Sequence, residues 1–150
     1  MSYQEKNITV SLVSQLLIGG YYLINLFLMY QEGALIASRV FRLCGFVILA
    51  TIIVNIVASI LTNIVLSIVH AIRTRTEQVE RFIEDERDQL IGLKGTKTSY
   101  IIFSIGVLLS VLAFAFGQPP LVMVSLIVLS GILAEIIGDI SQIYLYRRGF

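Results

Sequence analysis

The sequence predicts an all-α integral membrane protein. The expected architecture is a four-helix bundle, with N- and C-termini cytoplasmic and a charged helical hairpin between helices 2 and 3. Three observations predict it. Of the 150 residues, 57% are apolar and 14% charged, against about 25% charged in an average soluble domain; mean hydropathy is +0.88. The apolar residues form four runs, at about 8–30, 43–69, 100–116 and 121–144, near or above the roughly 18 residues that cross a bilayer. Lys and Arg are unevenly shared between the connections: with both termini inside, nine lie inside and only Arg39 and Arg42 outside. The chain reads as one transmembrane domain, 1–150, whose first partner is the lipid bilayer.

The first run spans 23 residues with no A-x-A-like site after it. A signal-peptide core is shorter, roughly 7–15 residues, so this is a retained helix. The second run is long enough to tilt, and the third is short and needs its flanks to cross. Gly117-Gln118-Pro119-Pro120 joins the third run to the fourth. A proline pair stops one helix, and Pro120 suits the first turn of the next. Between the second and third runs, segment 71–99 holds most of the charge. Val79, Phe82 and Ile83, then Leu90, Ile91 and Leu93, recur at helical spacing. Glu77 with Arg81 and Arg81 with Asp85 form i,i+4 pairs of opposite charge. Two arms of roughly 20 Å are expected to meet near 83–85. Gly92 and Gly95 weaken the second arm and are where it would break.

Polar side chains inside apolar runs are the candidate functional groups. The fourth run carries Glu135 and Asp139 one turn apart, with Gly131, Gly138 and Gln142 on the same side. Acids at that depth are costly and mark a site by default. Either they handle a proton or cation, or they fix packing by hydrogen bonds to Asn63 or Tyr22. The first run shows Ser11, Gln15, Gly19, Tyr22 and Asn25 on about a third of its circumference; the second shows Asn55, Ser59, Asn63 and Ser67, then His70. Such stripes commonly join helices, at about 0.6 kcal/mol per contact; a transport pathway requires them to converge. Gly106, Ser110, Ala113 and Gly117 form a small-residue ridge. It suits close helix approach, within the bundle or across a homo-oligomer. His70 stands as the sole histidine and reads as a hydrogen-bonded interfacial residue rather than a haem ligand; Cys44 reads as a buried thiol. No cofactor and no metal site are expected.

The acidic run Glu84-Asp85-Glu86-Arg87-Asp88 precedes the third run. Its spacing fits no calcium loop and no zinc motif. Asp85 as N-cap, with Glu86 and Asp88 in the first turn, would satisfy free N–H groups and complement the helix dipole. The same residues are the candidate partner-docking surface. The pattern Asp85-Glu86-Arg87-Asp88-x-Leu-Ile, followed by Lys94 and Ser99, resembles a family of small four-span prokaryotic membrane proteins of unknown function. That family carries D-E-R-D just before the third span. The resemblance covers about 20 residues plus the topology, and implies a prokaryotic cytoplasmic (inner) membrane location but no activity, ligand or catalytic residue. Where the family has helix formers, this chain has Gly92 and Gly95.

No nucleophile elbow, phosphate loop or metal cluster is present to support an enzyme. The leading expectation is a non-enzymatic accessory, regulatory or scaffold subunit that docks a protein partner through its cytoplasmic hairpin. The alternative is a small oligomeric transporter or channel coupled to protons or cations through Glu135 and Asp139.

Overall fold

The computed structural model describes residues 3–33, 36–73 and 86–148. They form four helices: α1 Tyr3–Gln31, α2 Ala37–Arg73, α3 Glu86–Ala115 and α4 Pro120–Arg147. No strand occurs among the described residues. Each helix contains a stretch long and apolar enough to cross a membrane. Long Leu-, Ile- and Val-rich runs have one economical solution away from water, the helix, because every backbone N–H and C=O is then satisfied within its own segment.

The helix ends follow local chemistry. Gly117 takes φ +91°, a left-handed conformation that costs glycine little. Its N–H donates to the Phe114 carbonyl at 3.0 Å, and the Gln118 N–H reaches the Ala113 carbonyl at 3.2 Å. This paired 6→1 and 5→2 closure is a Schellman motif. Pro119 then caps α4 and Pro120 opens it, as expected for a residue without an N–H at a position where none is needed. After α1, Gly33 turns the chain at φ +63°.

The second arm of the expected hairpin is helical, without the break expected at its two glycines. α3 begins at Glu86, well ahead of the apolar run at 100–116, and passes through Gly92 and Gly95 without a break. A side chain on Gly95 would collide with Gln142 of α4, and one on Gly138 with Ser99 of α3. The backbones are so close that the ideal Cβ position of Gly138 lies 3.4 Å from the Gly95 carbonyl oxygen. Glycine lowers intrinsic helix propensity, but here packing against α4 offsets that cost. The first arm of the expected hairpin is helical to Arg73; residues 74–85, which hold its tip, lie outside the described residues.

α4 is the hub. It packs against α1, α2 and α3, and α1 also packs against α2, whereas the described parts of α3 approach neither α1 nor α2. α4 accordingly buries 28% of its most apolar stretch and α3 only 6%. The four helices therefore fan around α4 rather than closing into a square. The ridge residue Gly106 faces Ser130 of α4, and Ser110 is buried with its hydroxyl donating to the Gly106 carbonyl at 2.7 Å. These two positions are thus occupied within the chain rather than free for a second copy, and Gly117 belongs to the turn. Tyr22, Val40, Leu43, Cys44, Val47 and Ile132 make the core where α1, α2 and α4 meet.

Candidate functional site: a polar seam between α1 and α4

α1 and α4 run antiparallel, and their polar residues pair along one seam. At the end that gathers both chain termini, Arg147 Nε meets Glu5 Oε1 at 3.5 Å. Next inward, Ser11 lies in hydrogen-bonding contact with Asp139. One turn further, Gln15 and Glu135 line the same cleft. Gly19 then packs against Ile132, whose Cγ2 lies 3.0 Å from the glycine's ideal Cβ position. Finally, Tyr22 Oη donates to the Ser125 carbonyl at 2.8 Å. The predicted α1 stripe is real, and the register brings it onto the α4 acids. Steps of four residues on both helices, about 6 Å each, keep the two stripes together over several turns.

The middle of the seam is unusual in its hydrogen bonding. Gln15 is 1% exposed, yet neither its Nε2 nor its Oε1 has a partner among the described residues. Asp139 is 8% exposed, and its Oδ2 is likewise unpartnered. Leaving such a group buried and unpaired costs about 1–3 kcal/mol, more if charged. Glu135 differs, being exposed despite its place midway along α4. Twelve residues separate it from Arg147, roughly 18 Å along the axis.

A cleft of about 320 Å³ opens where α2 and α3 fail to meet. Gln15 and Glu135 supply its polar groups with Thr51, while Val47, Ile132 and Phe103 are among its apolar walls. Phe103 stands against Gly131, 3.8 Å from where a side chain there would begin. Glycine at 131 leaves the floor of the cleft unfilled.

The other predicted residues fall elsewhere. Tyr22 belongs to the far end of the seam, bonded to Ser125 and 4.0 Å from the buried Cys44 sulfur, so it is no partner for Glu135. Asn25 turns its Nδ2 to the Tyr21 carbonyl of its own helix at 2.8 Å, on the side of α1 that meets α2 and Arg42. The side chains of Asn63, Ser59, Ser67 and His70 lie outside the described residues. Among the described residues, several small polar side chains bond within their own helix. Ser104, Ser110 and Ser125 each donate to the carbonyl four residues back, the nearest acceptor available to a hydroxyl in a helix.

Of the acidic run, Glu84 and Asp85 lie outside the described residues, as does the Glu86 side chain. Arg87 is exposed. Asp88 is used inside the chain, its Oδ1 accepting from Tyr146 Oη at 2.9 Å and tying the start of α3 to the end of α4. Sequence reasoning missed two features: the role of Gln15 as an orphaned amide, and Glu5 as the terminal end of the seam. The four-residue spacing of Ser11, Gln15 and Gly19 carried the signal, but a stripe on one helix does not say which neighbour it meets. No protein-family model, no curated protein and no solved structure matches this chain.

Proposed function

We propose that this chain is an integral membrane protein of the cytoplasmic membrane, with both termini inside, that binds and passes a proton or small cation through Glu135 and Asp139. The observation that carries the reading is the seam itself: two acids, one orphaned amide and one hydroxyl aligned between α1 and α4, in otherwise apolar helices. Ionisable groups at that depth are expensive and by default functional. Glu5, Asp139 with Ser11, and Glu135 with Gln15 mark successive stations from the terminal end to the middle of α4. Beyond Gln15 the seam becomes apolar at Gly19 and Ile132. A route that continues past Glu135 must therefore leave through the cleft between α2 and α3, which a second copy would complete. This makes the working unit an oligomer.

Proteoliposomes with an internal pH dye test the reading. Under an imposed proton gradient, with Na⁺ or K⁺ gradients as variants, the wild type should carry a flux that Glu135→Gln abolishes and Asp139→Asn reduces. Equal flux in wild type and Glu135→Gln would remove the basis of the proposal. A second reading, an accessory subunit docked through its hairpin, draws support from the exposed Arg87 beside segment 74–85. Replacing Glu84, Asp85 and Glu86 by Lys should then release a co-purifying partner, and unchanged retention would count against it.

A further inference from the structure

We infer that the cleft bounded by Gln15, Phe103 and Glu135 is a binding site for a lipophilic organic cation carrying N–H groups, held by the Glu135 carboxylate. The inference rests on the proton- and cation-handling reading above and names a substrate class for the same site. Size is the first argument. A cavity of about 320 Å³ lies at the lower end of small-molecule sites, roughly 300–1,000 Å³, and a bare metal ion would leave most of it empty. Its walls are the second argument. Apart from Gln15, Thr51 and Glu135 the lining is hydrocarbon and one aromatic ring, so the body of the ligand must be apolar. Charge is the third. Glu135 is the ionisable residue of the lining, and an aromatic face such as Phe103 adds attraction for a cation.

Gln15 selects among such cations. Its amide is 1% exposed and lines the cleft, with donor and acceptor both unpartnered. Buried polar groups in native proteins are generally hydrogen-bonded. A ligand N–H placed beside the Glu135 carboxylate would satisfy Gln15 Oε1 from within the cleft. A quaternary ammonium without an N–H would not.

Ethidium, an apolar planar cation with aromatic N–H groups, is a suitable probe, and phenanthridine is its uncharged parent ring. With full-length protein in detergent, equilibrium dialysis should show saturable ethidium binding. Uptake of phenanthridine should be clearly weaker. Glu135→Gln should weaken ethidium by about 10-fold or more, and Gln15→Leu should weaken it less. The phenanthridine comparison needs no variant and holds even if Glu135→Gln misfolds. Equal affinity for ethidium and phenanthridine in the wild type, or equal ethidium affinity in wild type and Glu135→Gln, overturns the inference. If ethidium fails to bind while proton flux in proteoliposomes still depends on Glu135, only the organic-cation inference falls; if neither depends on Glu135, the underlying reading falls with it.

Discussion

Tyr22 illustrates how a single side chain can tie three helices together. It is fully buried, its hydroxyl donates across to the Ser125 carbonyl on α4, and the same hydroxyl lies 4.0 Å from the Cys44 sulfur on α2. Tyr22→Phe keeps the ring but leaves that carbonyl without its side-chain donor. The expected loss is about 1 kcal/mol, measured by reversible unfolding in mixed micelles; an unchanged midpoint would show that the bond contributes nothing net. At this scale the sequence shows which polar side chains interrupt apolar runs, but not their partners. Glu135, Asp139, Gln15 and Tyr22 all stand out as polar groups in apolar runs. That Tyr22 serves the far end of the seam, and that Gln15 is left unpaired, depends on the relative rotation of α1 and α4. Hydropathy carries no such angle.

At the scale of elements, α3 and α4 are held by small residues set opposite one another: Gly95 at Gln142, Ser99 at Gly138, and Gly106 at Ser130. Gly138→Ala or Gly106→Ala forces a side chain into the facing helix and should destabilise by about 1–3 kcal/mol. Gly20→Ala and Gly45→Ala meet nothing within 4 Å and should be neutral or slightly stabilising through better helix propensity. Unfolding midpoints of the four variants check this, and equal effects at all four would refute the packing account. The element count, the turn at Gly117–Pro120 and the helical second arm were legible, since each rests on chain-local chemistry. The unbroken passage through Gly92 and Gly95 was not, because the packing of α4 that supports it comes from outside the segment.

For the whole molecule, the helices place Gly33 and the Gly117–Pro120 turn at one end, and the termini with Asp88 at the other. In a membrane this becomes a topology with a chemical test. In a Cys44→Ser background, Gln118→Cys should react with an impermeant maleimide in intact cells. Arg148→Cys should react only after permeabilisation. The reverse pattern would invert the proposed orientation, and labelling of both from the same side would overturn the four-span arrangement.

The hub position of α4 has a consequence for how such a chain can change over generations. Each inward position on α4 answers to α1, α2 or α3, so a substitution there must suit a neighbour already in place. The outward flank of α3, with Tyr100, Leu108 and Leu109 exposed, answers only to its surroundings and can exchange one apolar residue for another freely. Divergent copies of this protein should keep the α4 pattern of Ser130, Glu135, Gly138 and Asp139 while the face of α3 drifts to unrelated apolar residues. A search for distant kin would therefore do best by weighting the fourth helix and ignoring most of the third.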